Sequence, residues 1–455
     1  ICSHARNCVL TLASAMMSFV FPQGHRWFRF AAPDSTTSRQ DKEAGAYWMN
    51  QTTEAAFGAI ERSNFYPEMH GVTIDRCATG TGLLYIDADP EDQRMLQFTH
   101  VPSGTYGIGE DSQHRVNTVA RRLKFTLAQL IDEFGEENLS PTAQLAAQNR
   151  DQLHSIEASR EIWHIVMPRD LANKAYQGLA PDERPWASIY IDPMDDFVML
   201  EDGMYEFPYM CTRFVRYGDK VYGTSPLKNV EDEIHDLLID QECLVMLYQR
   251  AAMPPMVAPA ELADQIDWRA GSVMAMPTQF LSVQTPRELA PVNLQGLQFM
   301  IAGAEDKKKA ISDACFTSIL QNVTMQDRAM TATEVSARES EKATNYYPTF
   351  TQLQVDMRSF CNRIFGILAR AGEFNLNEAP RGVVQQYTDK NGLTRDYIIN
   401  PKLVFIGKMS QALERIQTSS TQSFFGMAFQ MFAATQDANM PVQFDWAYII
   451  RDLAM

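Results

Sequence analysis

The sequence contains a short acidic stretch, IDADPED, whose spacing is similar to that of a calcium-binding loop. Asp87, Asp89 and Asp92 offer carboxylate oxygens of the kind that bind a hard cation. Such a loop needs a glycine at its sixth position and a glutamate at its twelfth, and these positions hold Asp92 and Phe98. The stretch therefore predicts a turn at the tip of a loop rather than a metal site.

Cysteine and histidine near the start of the chain offer a second possible ligand set. Cys2, His4 and Cys8 lack a fourth ligand at the spacing of a zinc site, so we expect no metal there. The seven cysteines are scattered and include no Cys-x-x-Cys pair, which predicts no disulfide framework and favours a reducing compartment. Phosphate-loop, dinucleotide, zinc-protease and serine-hydrolase motifs do not occur, so we expect no cofactor and no enzyme.

Two further groups of charged residues keep other chemistry open. A catalytic site built from carboxylates far apart in sequence leaves no local motif, so Asp195, Asp196 and Glu201 leave a soluble hydrolase as the weakest alternative. The lysine run 307–309 covers more than half a helical turn, which is typical of a solvated face and less often of a phosphate contact.

Composition narrows the class of protein. The 455 residues are 45% hydrophobic and 21% charged, as in folded globular chains, and carry a formal net charge of -16. So acidic a chain does not suit binding of nucleic acid by broad phosphate neutralisation, although it suits DNA that must slide. The apolar run from Val9 to Phe21 is shorter than the ~20 residues that span a bilayer. We expect a buried amphipathic helix there, with a signal peptide as the alternative, and no membrane association.

The segment 81–214 has the alternation and turn signals of antiparallel strands. Thr126 is expected to cap a helix, and residues 192–196, with the sequence DPMDD, are expected to form a hairpin turn. This part of the chain predicts an α+β fold. Strands are expected at 83–86, 96–98, 116–123 and 161–166 and across 186–214.

Two long helices are expected to flank a small insert. Ser225 and Pro226 are suited to the cap and first position of a helix over 226–252, which would be about 40 Å long at ~1.5 Å per residue. The insert 253–293 is rich in proline, and helical spacing resumes over 294–322.

A break at 323–330 precedes another long helix. Thr331 and Glu334 fit a capping box, Pro348 is expected to kink the helix, and Gly372 is expected to end it. The first half of this helix is polar, and the second half carries a single apolar stripe. The stripe consists of Leu353, Met357, Phe360, Ile364, Ile367 and Leu368.

Several motifs occur in a fixed order along the chain. They are LASAMMSFVFPQGHRWFRF near the start, then TGTGLLYID, VPSGTYGI and VARRLKFTLAQLIDEFG, then YGTSPLKNVEDEI, and finally MTATEVSARESEK. This ordered set, spread over about residues 9 to 410, resembles the head-to-tail connecting, or portal, family of short-tailed bacteriophages.

The resemblance implies a predominantly helical α+β fold with a strand-rich wing, two long stem helices, a small α/β clip and a C-terminal helical crown. The expected parts are the wing (1–224), a stem helix (225–252), the clip (253–293), the second stem helix (294–322), the channel loop (323–330), the wing again, with the kinked helix and strands (331–408), and the crown (409–455).

The resemblance also implies a function and partners. The expected function is that of a homododecameric ring at one capsid vertex, a conduit for genome packaging and ejection, assembled in the host cytoplasm and located in the virion. Expected partners are double-stranded DNA, the terminase large subunit, tail adaptor and nozzle proteins, major capsid and scaffolding proteins and internal core proteins. The nearest alternative is another tail ring, an adaptor or a nozzle, which would lack the arrangement of two long helices around an insert.

Two sets of site residues follow from this interpretation. The residues expected to line the DNA channel are Thr324, Gln326, Arg328, Lys307, Lys308 and Lys309. The residues expected to form the docking surface of the clip are Met253, Met256, Met274, Met276 and Phe280, because flexible methionines suit a surface that binds successive partners.

Overall fold

The computed structural model confirms an α+β fold. It describes residues 2–31, 39–89, 95–148, 153–156, 158–170, 175, 177–252, 256–257, 287–288, 294–317, 352–353, 355–379, 384–388, 394–398 and 401–406. The chain divides into two units, the first formed by Ile1–Val9 with Leu227–Ser318 and the second by Leu10–Pro226 with Ile319–Met455.

The helices and strands are numbered in chain order. The helices are α1 (Ser3–Val20), α2 (Arg39–Arg62), α3 (Phe65–Thr79), α4 (Leu127–Phe134), α5 (Pro141–Ala147), α6 (Glu231–Ala252), α7 (Leu294–Ala314) and α8 (355–370). The strands are β1 (Phe28–Ala31), β2 (Thr81–Asp89), β3 (Met95–Val101), β4 (Tyr106–Glu110), β5 (Val116–Phe125), β6 (Arg160–Pro168), β7 (Trp186–Asp192), β8 (Phe197–Met204), β9 (Tyr209–Arg213), β10 (Met256–Val257), β11 (Arg287–Glu288), β12 (Val384–Thr388), β13 (Thr394–Ile398) and β14 (Lys402–Phe405).

Helices α6 and α7 pack against each other in the first unit. Leu237 of α6 and Ile311 of α7 are fully buried in one apolar cluster, which also contains Cys2, Cys8 and Cys315. Burial of this stripe, which recurs at helical spacing, explains why both segments are helical although neither has a strongly apolar composition.

The ends of these two helices differ from the sequence prediction. Residues Pro226–Val230 form a 3-10 turn, so α6 begins at Glu231 rather than at Pro226. Helix α7 ends at Ala314 and not at residue 322, since Phe316 takes a left-handed φ of 56° and Thr317 donates its hydroxyl to the carbonyl of Ser312.

The second unit contains two larger antiparallel sheets, an aromatic cluster and the two-stranded pairs β1–β14 and β12–β13. The three-stranded sheet has the order β3-β2-β9 and the five-stranded sheet the order β4-β5-β6-β7-β8. Leu83 and Tyr209 of the first sheet pack with Val119 and Val166 of the second in one buried cluster. The strands predicted at 83–86, 96–98, 116–123 and 161–166 are confirmed as β2, β3, β5 and β6. Burial alternates along β6, whereas all four residues of 83–86 are buried.

A polar network lies inside the contact between these sheets. His164 is fully buried, and its Nδ1 accepts hydrogen bonds from Arg121 Nε and the Tyr209 hydroxyl, each at 3.0 Å. Its Nε2 lies 2.9 Å from the Ser188 hydroxyl. Burial, and then the charge of Arg121, lowers the pKa of His164 well below its ordinary value, so the ring is neutral and acts as an acceptor in the core.

Helix α8 packs its predicted stripe into the aromatic cluster of the same unit. Phe360 lies with its ring centroid 5.2 Å from that of Phe65 and 6.2 Å from that of Trp27, which is itself fully buried. All six predicted stripe residues are at most 5% exposed, and Gly372, with a φ of 81°, follows the helix as predicted.

The local turn predictions are also confirmed. Thr126 and Gln129 form a capping box at the start of α4. The sequence DPMDD forms the β7–β8 turn, in which Asp196 takes a φ of 47°.

Some predicted features concern residues outside the described part of the chain. They are the capping box of Thr331 and Glu334, the kink at Pro348 and the crown at 409–455. These features stay predictions.

Candidate assembly surface and channel residues

The first unit exposes apolar side chains on both of its long helices. Ile239 and Met246 are seven residues apart on α6, so they lie on one face, and they are 47% and 57% exposed. Phe299 of α7 is 82% exposed, and Ile301 is 41% exposed. Apolar residues on a helix face away from its own core mark a surface that another chain covers.

The three predicted channel lysines have different surroundings on α7. Lys307 Nζ lies 2.6 Å from Asp240 Oδ2 and 3.9 Å from Asp236 of α6, and the hydrogen bond to Asp240 raises its pKa. Lys308 pairs with Glu305 at 2.6 Å, whereas Lys309 is exposed. Lys307 thus links the two helices, and Lys309 is the member of the run most open to a ligand.

Most of the other predicted site residues lie outside the described part of the chain. This holds for the channel residues Thr324, Gln326 and Arg328. It also holds for the clip residues Met253, Met274, Met276 and Phe280, whereas the backbone of Met256 is in β10, paired with β11. Their roles stay predictions.

The hydrolase alternative would use Asp195, Asp196 and Glu201 as catalytic carboxylates, and these residues lie in different surroundings. Asp195 accepts hydrogen bonds from the backbone N–H and the hydroxyl of Thr142 at the start of α5, and these bonds lower its pKa. Asp196 lies in the β7–β8 turn, and Glu201 pairs with Arg169 at 2.7 Å. The three residues do not share a partner in these contacts.

The sequence predicts no metal site in the acidic stretch 86–92 and none at Cys2, His4 and Cys8. Asp87 pairs with Arg363 at 3.3 Å, and Cys8 Sγ lies 3.7 Å from His4 Nε2 in the first unit. Among the residues that the structure describes, no group of three or more His, Cys, Asp or Glu side chains is arranged to hold a metal ion.

Sequence reasoning missed a cluster of ion pairs in the second unit. Glu206 accepts two hydrogen bonds from Arg370, at 2.5 and 2.6 Å, and one from Arg363 at 3.2 Å. Arg363 also donates to the carbonyl of Ile86. These arginines line an open cleft of about 730 Å³ between β2, β8 and α8. Their spacing of seven residues on one helix was the signal that the sequence offered.

Exposed apolar side chains on α6 and α7 are a feature typical of surfaces that contact another chain. The family model of the bacteriophage head to tail connecting protein matches residues 2–455, and the chain belongs to this family. The predicted resemblance is confirmed.

Named relatives agree with this family. The portal protein of Salmonella phage epsilon15 is 24% identical over 428 residues, which cover 92% of this chain and 72% of that protein. The probable portal protein of Bordetella phage BPP-1 is 23% identical over 427 residues, covering 91% and 71%. A chain from the virion of a native gene transfer agent particle matches at 11% identity, covering 79% of this chain and 87% of its own length. Its TM-score of 0.34 is too low to indicate a shared fold.

The sequence predicts no membrane insertion. Within the described residues, no helix has both the length and the apolar character needed to cross a bilayer.

Proposed function

We propose that this portal-family chain forms a closed homododecameric ring at one capsid vertex, through which the genome is packaged and ejected. A ring requires a head-to-tail interface that repeats until it closes. The observation that carries the proposal is the exposed apolar surface of the two long helices, formed by Ile239 and Met246 on one face of α6 and by Phe299 on α7. In the ring, α6 and α7 are the stem helices, and a neighbouring copy covers this surface.

Charge substitutions on α6 test this interface. The double change Ile239→Glu and Met246→Glu is expected to convert rings to monomers, because both carboxylates would have to be desolvated at the interface. Native mass spectrometry measures the distribution, and we expect at least a tenfold loss of the dodecamer. Leu145→Glu with Ile156→Glu, at two exposed apolar positions of the second unit, is the matched control and should leave rings intact. A wild-type chain that remains monomeric at micromolar concentration would contradict the proposed ring.

The acidic composition supports a sliding contact with DNA. A net charge of -16 per copy gives a ring that mostly repels phosphate, so DNA passes without being held by counterion release along the whole bore. Lys309 and, in the channel loop 323–330, Arg328 would supply localised rings of positive charge. Thr324 and Gln326 are proposed to line the same loop.

Substitution of Lys309 tests whether this residue contacts DNA. Lys309→Ala is expected to lower the dependence of DNA binding on salt, with the slope of log K against log salt falling by roughly 0.9 for each phosphate that the variant no longer neutralises. Binding of short duplex DNA to purified rings, measured from low to high salt, gives this slope. Lys228→Ala removes the same charge from an exposed position and is the control. Equal slopes for wild type and Lys309→Ala would show that Lys309 does not touch DNA.

Docking of other phage proteins completes the proposal. The clip, 253–293, with its five named methionine and phenylalanine residues, is proposed to bind the terminase large subunit during packaging and then the tail adaptor and nozzle. The wing and crown are proposed to contact the major capsid, scaffolding and internal core proteins. Assembly in the host cytoplasm and a place in the virion follow from this role.

A further inference from the structure

The three-stranded sheet of the second unit has two outer strands, β3 and β9. In the part of the chain that the structure describes, neither strand pairs with a further strand on its outer side. The N–H and C=O groups on the outer side of such a strand can pair with any other extended chain. The partners of these groups therefore decide whether the sheet can add a strand.

Asn64 binds the outer side of β3 at Phe98. Its Nδ2 donates to the Phe98 carbonyl at 2.7 Å, and its Oδ1 accepts from the Phe98 N–H at 2.9 Å. A strand that paired with β3 would bond to these same two backbone groups. Asn64 directly precedes α3, where an asparagine side chain normally caps the helix, but it makes no capping hydrogen bond. Its side chain thus bonds to the strand and not to the end of its own helix.

Glu68, one turn further along α3, binds the next outward group of β3. Its Oε2 accepts a hydrogen bond from the His100 N–H at 2.7 Å. Phe98 and His100 are two residues apart, so their backbone groups point to the same side of the strand. Gly71 permits this close approach of helix and strand, since a Cβ atom there would lie 2.8 Å from His100 Nδ1.

Asp75 extends the same contact by another turn of α3. Its Oδ2 lies 2.9 Å from Nε2 of His100 and accepts from the Ser103 N–H at 2.8 Å. Positions 64, 68, 71 and 75 recur at helical spacing, so they lie on one face of the helix. This face of α3 occupies the place beside β3 that a fourth strand would take.

The outer side of β9 is covered by side chains from two helices. The Phe214 N–H donates to the carbonyl of Gly80, so the backbone groups of Arg213, one residue earlier, point away from β2. The Arg213 N–H donates to Asp356 of α8 at 3.1 Å. The Arg213 carbonyl accepts from Nε and Nη2 of Arg76 of α3, each at 3.2 Å.

We infer that Asn64, Glu68, Asp356 and Arg76 act as edge caps, which are side chains that occupy the outward backbone groups of an outer strand and so prevent the addition of another extended chain. An added strand would have to displace three side-chain hydrogen bonds at β3. The inference goes beyond the proposed function, because it concerns the sheet within one chain and holds whether or not a ring forms.

A labelled peptide tests the edge of β3 in the full chain. The probe is a fluorescein-labelled peptide with the sequence of residues 81–89, since this strand, β2, is the one that pairs with β3 in the fold. We expect the double variant Asn64→Ala with Glu68→Ala to bind it at least tenfold more tightly than wild type, as measured by fluorescence anisotropy. The same peptide with proline at positions 84 and 86 lacks two N–H donors and should show no gain.

Hydrogen exchange and two control variants separate an open edge from a loss of stability. The amides of Phe98 and His100 should exchange at least tenfold faster in the double variant. Asn138→Ala removes an asparagine hydrogen bond to the carbonyl of Phe134 in α4, outside this sheet, and should bind the peptide as wild type does. Glu68→Gln keeps an acceptor for the His100 N–H and should also behave as wild type.

The outcomes decide the inference in either direction. A folded double variant that binds no more peptide than wild type overturns it, and so does an equal gain in Asn138→Ala. If circular dichroism shows that the double variant does not fold, Asn64→Asp replaces it. This change removes the donor to the Phe98 carbonyl but keeps the acceptor for the Phe98 N–H, and it should bind the peptide about threefold more tightly than wild type. Binding equal to wild type would then overturn the inference.

Discussion

Replacing Glu206 with glutamine is expected to lower the free energy of unfolding by about 3 kcal/mol, because the change leaves Arg370 without its counterion and leaves Arg363 with only the more exposed Asp87. The side chain of Arg363 is 7% exposed and that of Arg370 is 18% exposed. Both donate to the Glu206 carboxylate, which is itself only 17% exposed. Urea unfolding monitored by circular dichroism measures the change.

A surface ion pair of the same unit is the control for Glu206→Gln. Glu201 pairs with Arg169 at a similar distance but is 57% exposed. Glu201→Gln should therefore cost less than about 1 kcal/mol. Equal effects of the two substitutions would show that burial does not set the strength of the Glu206 cluster.

Gly366 offers an independent probe of the same carboxylate. A Cβ atom at this position of α8 would overlap the Glu206 carboxylate, so Gly366→Ala must displace it from Arg363 and Arg370. We expect the two substitutions to be non-additive, with an interaction energy of about 1 to 3 kcal/mol in a double-mutant cycle with Glu206→Gln. Additive effects would contradict a contact between Gly366 and Glu206.

Helix α8 shows what the sequence can predict. Its buried stripe is predictable, because residues that share a helix face recur at a spacing of 3.6. The ion pairs of Arg363 are not, since Glu206 lies 157 residues earlier in the chain. Periodicity reports which face is buried, whereas the partner of a buried charge depends on tertiary packing.

The surroundings of the predicted channel lysines are likewise predictable only in part. The lysine run 307–309 is recognisable as a unit from its sequence, but its members have different roles. Lys307 pairs with Asp240, 67 residues away on α6, and only the packing of α6 and α7 brings them together. The late start of α6 has a local cause, since Pro226–Val230 favour a 3-10 turn over the expected first turn of the α-helix.

The face of the five-stranded sheet that carries Trp163, Ile191 and Val198 is predictable only in part. Apolar residues at consecutive positions of β6 predict a strand, but not which residues lie on which face. The pairing of β6 with β7 and of β7 with β8 brings Trp163, Ile191 and Val198 to one surface. That surface follows from register, which a single sequence leaves open.

Asp356, which is half-buried on α8, is expected to make stability depend on pH. Its carboxylate accepts hydrogen bonds from the backbone N–H of Arg213 at 3.1 Å and from Gln352 at 3.0 Å. Burial raises its pKa from 3.8 to about 6, against the opposing effects of Arg76, which lowers it, and of these hydrogen bonds. The folded protein therefore binds the proton more tightly than the unfolded chain does.

A raised pKa stabilises the fold at low pH. The contribution is fully present below pH 3.8, falls as pH rises, and is lost once pH passes about 6. A shift from 3.8 to about 6 corresponds to about 3 kcal/mol at ~1.36 kcal/mol per pH unit. Asp356→Asn keeps an acceptor for the Arg213 N–H but cannot ionise, so it does not lose this contribution. Relative to wild type, the free energy of unfolding of the Asn variant should therefore rise by about 2.5 kcal/mol between pH 4 and pH 7.

The difference between the two proteins isolates this one carboxyl group. Urea unfolding at matched protein concentration, at intervals from pH 4 to pH 7, gives the free energy of unfolding of each, and subtraction removes the titration of the histidines and of the other acids. We expect the difference curve to rise most steeply between pH 4 and pH 6. A flat difference curve would mean that Asp356 titrates alike in the folded and unfolded chains. A curve that falls with pH would mean that Arg76 outweighs burial and holds the carboxylate ionised, so that the pair contributes stability at neutral pH.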